Sequence, residues 1–169
     1  MLLVGLIVLF TSRRASERII LPLVCKIHPF IPVRGGVLPA RILIADDNEL
    51  VRQQVRNLLR RHPDWEVCGE AVDGRDALEK ARHLNPDLVV LDFAMPVMNG
   101  LQSAAEIVRT IPRIPILLFS MFLSNQLIEL ARGVGVRGAV SKADVIRDLV
   151  QGVEALLRNE TFFPRLVND

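Results

Sequence analysis

The chain has 169 residues, of which 50% are hydrophobic and 24% are charged, and its net charge is +2. This length is sufficient for one domain with a buried core, and the composition excludes a largely disordered chain or a membrane bundle. The first 40 residues carry five basic residues and one acidic residue, whereas the remainder carries 16 basic and 18 acidic residues. Because nucleic-acid binding depends on neutralising phosphates, a mildly acidic folded region predicts no direct nucleic-acid binding.

Residues 1–39 differ in composition from the rest of the chain. The apolar run over residues 1–10 would be about 15 Å long as a helix, half of a ~30 Å hydrocarbon core, and no basic n-region precedes it. Four prolines and Gly35-Gly36 follow within residues 22–39, a composition that excludes a long helix or a central strand. We expect residues 1–39 to be a disordered or non-native extension. A weak membrane anchor is the least favoured alternative, and no membrane association is expected.

The two cysteines, Cys25 and Cys68, lie far apart in sequence and lack the spacing of a zinc site. We therefore expect neither a disulfide framework nor a structural zinc ion. A cytoplasmic location follows as the expectation for a chain with this cysteine usage.

After residue 40, short apolar runs alternate with amphipathic segments. Five runs are typical of buried strands: residues 42–45, 65–69, 88–91, 114–119 and 138–140. Five helices follow them. The first comes after Asp46-Asp47-Asn48 with its apolar repeat starting at Leu50, and the others are entered at Asp73-Gly74, Asn99-Gly100, Ser124 and Asp144, with Ser124 and Asp144 as expected caps. This alternation predicts an α/β fold in which a doubly wound parallel sheet of five strands lies between helices. The predicted domain is residues 40–158, followed by a tail over residues 159–169.

Polar residues follow the predicted strands at their carboxyl ends, which is where ligands bind in such sheets. Asp46 and Asp47 end the first strand, Asp92 ends the third, Ser120 ends the fourth, and Lys142 follows the fifth. Three carboxylates at one edge repel one another unless a cation offsets their charge. Hard oxygen ligands suit Mg²⁺, so the sequence predicts a magnesium site at this edge.

Each of these residues taken alone has an ordinary structural interpretation. Asp46 or Asp47 could cap the following helix, Lys142 could be a solvated loop lysine, and Ser120 could be a simple strand-end hydroxyl. Asp92 is harder to explain in this way because it follows four buried apolar residues. The convergence of all of them on one edge favours a functional site.

Three segments around these residues resemble the signatures of the response regulator receiver domain, the CheY-like family. They are residues 42–48 with the acidic pair, residues 91–100 with Asp92-x-x-Met95-Pro96-x-x-Asn99-Gly100, and residues 135–142. Residues 71–78 also resemble the entry to that family's second helix. The resemblance covers residues 40–158 and implies a flavodoxin-like sheet in the order 2-1-3-4-5 with five helices.

The resemblance also implies a chemistry. Asp92 would accept a phosphoryl group from a sensor histidine kinase or a phosphotransfer protein, and Ser120 and Lys142 would bind that group. The implied Mg²⁺ ligands are Asp47, Asp92 and the backbone carbonyl of Ala94, with Asp46 acting through water. Such a protein is not an enzyme beyond self-phosphorylation and autodephosphorylation. It switches an interaction face toward a downstream protein target, with a phosphorylation-dependent homodimer as one option.

One position departs from the family pattern. The residue three before Lys142 is usually aromatic and rotates inward on activation, but here it is Ala139. A methyl group cannot report phosphorylation by changing rotamer. We therefore expect that Phe119 or Phe122 takes over this role, or that the output differs.

The end of the chain resembles part of another protein class. Residues 149–165 are similar to the end of the receiver and the start of the linker in LuxR-type transcription regulators. The few residues after Glu160 cannot form a helix-turn-helix domain, so we expect a receiver that acts alone through protein partners.

Two alternatives to a phosphorylated switch remain. The first is a receiver-like interaction module that is not phosphorylated, which Ala139 favours and the intact acidic set disfavours. The second is a Mg²⁺-dependent phosphohydrolase, whose second catalytic aspartate would fall at Ala94, which cannot act as an acid.

Overall fold

The structure is a computed structural model, and it describes residues 38–164. The expectation for residues 1–39 lies almost wholly outside the described residues, as does the end of the predicted tail. The strands are β1 (Ala40–Ala45), β2 (Trp65–Ala71), β3 (Leu88–Asp92), β4 (Ile116–Ser120) and β5 (Gly138–Ser141). The helices are α1 (Glu49–Leu59), α2 (Gly74–Leu84), α3 (Gly100–Thr110), α4 (Asn125–Gly133) and α5 (Val145–Leu157).

The five strands form one parallel sheet in the order β2-β1-β3-β4-β5, which confirms the predicted α/β architecture. One apolar layer lies between the sheet and α2, α3 and α4, and a second lies between the sheet and α1 and α5. Because both faces are covered, β3 and β4 are buried throughout. Their carboxyl ends therefore leave the core together at one edge.

The helix entries follow the sequence closely, with one exception. Asn48, Asp73, Asn99 and Ser124 each accept a hydrogen bond from a backbone N–H in the first turn of the helix that follows. Asp144 precedes α5 but makes no capping hydrogen bond, so that prediction is wrong. The reason is local, because a 3-10 turn over Lys142–Asp144 leads into α5 and leaves Asp144 at φ −108° and ψ 20°, outside the extended conformation of a cap.

The fourth strand begins later than predicted, at Ile116 instead of residue 114. Pro115 has no N–H to donate to the ladder, although its carbonyl accepts a hydrogen bond from Val89 N at 3.1 Å. The start of β4 is thus set by proline chemistry and not by hydrophobicity. Its end at Ser120 places that hydroxyl at the edge of the sheet.

The segment after α5 packs against the domain instead of leaving it. Phe162 forms a parallel bridge beside Gly138, donating to Arg137 O at 3.0 Å and accepting from Ala139 N at 2.8 Å. The Phe163 ring lies against the core layer under α4, with the Arg132 guanidinium 4.3 Å from its centroid. This segment therefore covers part of the outer edge of β5.

Among residues 38–164, no helix is both long and apolar enough to span a bilayer. The longest helix, α5, has 13 residues.

Candidate functional site

Three carboxylates meet at the carboxyl edge of the sheet. Asp46 follows β1 and Asp92 is the last residue of the adjacent strand β3, while Asp47 belongs to the loop before α1. One oxygen of each residue lies within 4.8 Å of the others. Asp46 and Asp92 are buried and Asp47 is exposed, so the cluster opens to solvent on the Asp47 side.

The Lys142 ammonium joins this cluster from the end of β5. Its Nζ atom lies 2.7 Å from Asp46 Oδ2 and 2.9 Å from Asp92 Oδ1. The side chain is 10% exposed and passes over the Phe119 ring, with Nζ 5.5 Å from the ring centroid. The lysine is therefore a buried ion-pair partner of two aspartates and not the solvated loop lysine of the alternative interpretation.

The protonation equilibria of the pair follow from this burial. Burial raises the pKa of the Asp92 carboxyl above its ordinary value, and the Lys142 ammonium only partly opposes that effect. Burial by itself lowers the pKa of Lys142, but Asp46 and Asp92 together outweigh it and raise that pKa. The ammonium thus stays charged, while the Asp92 carboxylate is held in an environment that penalises its charge.

The donor set of the cluster suits a hard divalent cation. Asp46 Oδ1 accepts a hydrogen bond from Asn48 N at 2.9 Å. Asp46 Oδ2 is buried, and apart from its ion pair with Lys142 no hydrogen-bond partner within residues 38–164 reaches it. Three carboxylates paired with a single ammonium keep an excess of negative charge, and together they fit a Mg²⁺ site with room for waters.

The first of the ordinary interpretations is also wrong. Asn48, and not Asp46 or Asp47, caps α1, because its side-chain oxygen accepts hydrogen bonds from Leu50 N at 2.9 Å and Val51 N at 3.4 Å. Both aspartates are therefore available to the cluster.

The Ser120 hydroxyl is at the neighbouring strand end but points into its own loop. Ser120 Oγ donates to Phe122 O at 3.1 Å and accepts from Phe122 N at 3.3 Å. The residue itself is buried, whereas the Phe122 side chain is 87% exposed. The structure thus brings Asp46, Asp47, Asp92 and Lys142 together, whereas Ser120 ends the strand between those of Asp92 and Lys142 and its hydroxyl is engaged within its own loop.

The loop after β3, which contains Ala94, is tightly constrained. Gly100 N donates to Phe93 O at 2.9 Å, and Val97 has a left-handed φ of 66°. That conformation is unfavourable for a β-branched residue and indicates that the surrounding contacts hold the loop in place. Ala94 is exposed two residues after Asp92, on the loop where the resemblance implies a carbonyl ligand.

Sequence reasoning missed one group of residues behind the acidic pair. Arg52 on α1 donates to the backbone carbonyls of Asp46 and Asp47 and to the side chain of Glu70 on β2. The signal was weak, since a basic residue on the first helix six positions after Asp46 is more often a surface side chain.

The parallel sheet in this order, with a lysine-bridged aspartate cluster at its carboxyl edge, defines the class of receiver domains of two-component systems. Comparison with known proteins agrees. The family model of the response regulator receiver domain matches residues 42–154, and the chain belongs to this family.

The chain is also similar to individual members of the family. It is 31% identical over 123 residues to the response regulator protein VraR of Staphylococcus aureus, covering 73% of this chain and 59% of that protein. VraR of Staphylococcus saprophyticus is 29% identical over 126 residues, with 75% and 60% covered. The chain therefore spans about three fifths of the length of these relatives.

Solved structures give the same result. A LuxR-family two-component response regulator from Aurantimonas is 32% identical with a TM-score of 0.71, covering 73% of this chain and 89% of that one. The receiver domain of the response regulator NarL from Mycobacterium tuberculosis is 31% identical with a TM-score of 0.68, covering 73% and 99%. The predicted CheY-like fold and the LuxR-type resemblance are confirmed.

Proposed function

We propose that this receiver accepts a phosphoryl group on Asp92 from a phosphohistidine of a sensor histidine kinase or a phosphotransfer protein. The observation that supports this most directly is the Lys142 ammonium, which lies within 2.9 Å of both Asp46 and Asp92 while the Asp47 carboxylate completes the cluster. A purely structural ion pair needs one carboxylate, and the second and third only add repulsion.

The transfer itself needs no general base. A carboxylate oxygen of Asp92 attacks phosphorus in line, the phosphorus–nitrogen bond of the phosphohistidine breaks, and the electron pair leaves on the imidazole nitrogen. Asp92 becomes a mixed anhydride and gives up no proton, because a carboxylate is already ionised at neutral pH. Lys142 contacts Asp92 Oδ1, and Oδ2 lies outside that ion pair.

A divalent cation would be held by Asp47, Asp92 and the Ala94 carbonyl, with Asp46 acting through water. When bound, Mg²⁺ supplies positive charge to the equatorial oxygens of the phosphoryl group. Lys142 would supply the second positive charge from the carboxyl end of β5, at the same edge of the sheet. The acidic cluster would therefore bind a cation and would not transfer protons as an acid–base pair.

The phosphorylated state would be held by two charge-assisted hydrogen bonds, from Ser120 and Lys142 to phosphoryl oxygens. Each such bond contributes about 1.5–3 kcal/mol. Moving a population from 1:99 to 99:1 takes about 5.5 kcal/mol of differential interaction. The two bonds together are of the size needed to drive a conformational switch.

The direct test is incubation of the full chain with Mg²⁺ and acetyl phosphate, followed by intact mass measurement. We expect a gain of one phosphoryl group in the native chain and none in Asp92→Ala. Asp87→Ala is the matched control, since Asp87 lies before β3 and outside the cluster, and it should be phosphorylated like the native chain. No gain at saturating donor in the presence of Mg²⁺ would instead favour an interaction module that is not phosphorylated.

The read-out of the switch is expected at Phe122. To bind a phosphoryl oxygen, the Ser120 hydroxyl must release Phe122 O, and the loop over residues 121–123 must change. The exposed Phe122 ring lies beside a groove of about 220 Å³ lined by Phe93, Leu127 and Leu130, which could receive it. Phe119, by contrast, is 2% exposed and packs in the core layer against α1 and α5.

Fluorine NMR of protein labelled with fluorophenylalanine can distinguish these two residues. We expect the Phe122 resonance to shift more on phosphorylation than the Phe119 resonance, because Phe122 loses its hydrogen bonds to the Ser120 hydroxyl, whereas the buried Phe119 ring senses only a change at Lys142 Nζ, 5.5 Å from its centroid. Phe119→Leu and Phe122→Leu variants assign the two signals. A shift confined to Phe119 would assign the read-out to the core instead.

The remaining assignments follow from this function. The protein would act in the cytoplasm, where its kinase partner presents the phosphohistidine, and would signal through a downstream protein target or a phosphorylation-dependent homodimer. The segment around Phe162 and Phe163 covers part of the β5 edge, so a partner that docks there must contact or displace it. The catalytic activity of the protein itself would be limited to self-phosphorylation and autodephosphorylation.

A further inference from the structure

The Arg52 guanidinium group is hydrogen-bonded to the backbone of the acidic pair, Asp46 and Asp47. Arg52 Nη1 donates to Asp46 O at 2.8 Å and to Asp47 O at 3.3 Å. The same side chain donates through Nε to Glu70 Oε2 at 3.1 Å and is 12% exposed. The Arg52 side chain is thus hydrogen-bonded to the carbonyl oxygens of both acidic residues. Glu70 on the adjacent strand β2 in turn fixes the position of Arg52.

Glu70 is shared between two arginines of α1. Arg56 Nη1 contacts Glu70 Oε1, one turn further along the helix, but no described hydrogen bond connects Arg56 to the acidic pair. Glu70 lies opposite Ile44 in the pairing of β1 with β2, so this carboxylate is fixed relative to the strand that ends at Asp46. Arg52 and Arg56 therefore pair with the same carboxylate, but among the described hydrogen bonds only those of Arg52 extend to the backbone of the acidic pair.

We propose that Arg52 is a positioning residue for the divalent cation site, an inference that rests on the proposed function. Asp46 and Asp47 are adjacent in sequence, and their carboxylates must approach one cation against their mutual repulsion. Hydrogen bonds to both carbonyl oxygens fix the peptide planes and hence the direction in which each side chain leaves the backbone. Partners outside the ligand shell that orient ligands in this way commonly affect metal affinity strongly.

The planar guanidinium suits this task better than an ammonium. Its donors are arranged in a fixed fork, so Nη1 can bridge the two carbonyls while Nε is held by Glu70. A lysine at this position has one nitrogen atom and cannot occupy both places at once. Arg52→Lys should therefore keep the ion pair with Glu70 and lose the bridge to the loop.

The test measures Mg²⁺ affinity by isothermal titration calorimetry on the full chain, together with the thermal unfolding of each variant. We expect Arg52→Gln to weaken Mg²⁺ binding by about tenfold. Arg56→Gln, which removes the other partner of Glu70, should leave that affinity unchanged. Arg52→Lys should recover the thermal stability lost in Arg52→Gln without recovering the affinity, a separation that a merely structural residue would not produce.

The outcomes distinguish this inference from the function on which it rests. If the native chain binds Mg²⁺ and Arg52→Gln binds it equally well, the positioning role is refuted and the proposed function stands. If Arg52→Gln and Arg56→Gln lose affinity to the same extent, the effect belongs to Glu70 and the inference is also refuted. If the native chain binds no Mg²⁺, both the proposed function and the inference fail.

Discussion

Replacing Lys142 with methionine is expected to lower the free energy of unfolding by about 3–5 kcal/mol in the absence of divalent ions, because it leaves buried charge uncompensated. The ammonium lies 2.7 Å from Asp46 and 2.9 Å from Asp92, whose residues are 1% and 2% exposed. Without it, two carboxylates face each other with little access to water. Urea unfolding at neutral pH in the presence of a chelator measures this loss, and added Mg²⁺ should restore part of it.

Lys80→Met provides the matched control. Lys80 also pairs with an aspartate at 2.7 Å and donates to Glu70 O at 2.6 Å, but its side chain is 40% exposed and its partner Asp76 lies one helical turn away. Such a pair contributes about 0.3–0.5 kcal/mol. If Lys142→Met were no more destabilising than Lys80→Met, the charge balance described for the acidic cluster would be wrong.

Asp92→Asn should raise the free energy of unfolding at neutral pH, whereas Lys142→Met should lower it. Since burial raises the folded pKa of Asp92, the stability due to this carboxyl is present below its unfolded pKa and is lost as the pH rises through the folded value. At neutral pH the ionised side chain therefore destabilises the fold, and a neutral amide of similar shape relieves that cost. The gain should vanish at low pH, where the native carboxyl is protonated as well.

These opposite effects follow from the task of the site. Asp92 is expected to be destabilising for the same reason that we propose it as the phosphoacceptor, since both require a carboxylate held in a buried position beside other carboxylates. Lys142 makes this arrangement tolerable in the absence of a bound cation. The buried, ionised Asp92 carboxylate lowers the stability of the folded protein. Binding of a cation, or of a phosphoryl group, would offset this loss and would therefore be favoured.

The sheet and the location of the site could be predicted because they depend on features that are local in sequence. Alternating apolar runs identify the strands, and the parallel topology then brings Asp46, Asp92 and Lys142 to one edge regardless of packing detail. The cap at Ser124 likewise depends on a neighbour within one helical turn. Asp144 failed as a cap because its backbone conformation is set by the 3-10 turn before it.

The contacts that tune the site could not be predicted, because they join residues that are distant in sequence through side-chain geometry. Arg52 reaches Glu70 only because β2 lies beside β1, and the sequence does not specify which of the two arginines on α1 is hydrogen-bonded to the loop of the acidic pair. The direction of the Ser120 hydroxyl depends on its loop. Phe162 and Phe163 looked like the start of a linker, yet they pack on the domain where Ala139 presents only a methyl group to the core.

Gly100→Ala should be severely disruptive although it adds only one methyl group. An ideal Cβ at this position would lie 2.2 Å from Asp92 O and 2.8 Å from Phe93 Cα, and both are backbone atoms that no rotamer change can move. The start of α3 must therefore shift, and the end of β3 at Asp92 and the loop after it must shift with it. We expect a loss of about 3 kcal/mol in the free energy of unfolding and a marked fall in phosphorylation by acetyl phosphate.

Gly133→Ala is the control for Gly100→Ala, because it adds the same methyl group at a position away from the acidic cluster. Gly133 is the last residue of α4, and an added Cβ there meets no atom within 4 Å. That substitution should stabilise the protein by about 0.4–1 kcal/mol, because alanine restricts the unfolded chain without causing strain, and should leave phosphorylation unchanged. Comparable unfolding and phosphorylation for the two variants would refute the close approach of α3 to Asp92. The expected divergence would instead locate the constraint at Gly100, where an added Cβ would meet the carbonyl oxygen of Asp92, the proposed phosphoacceptor.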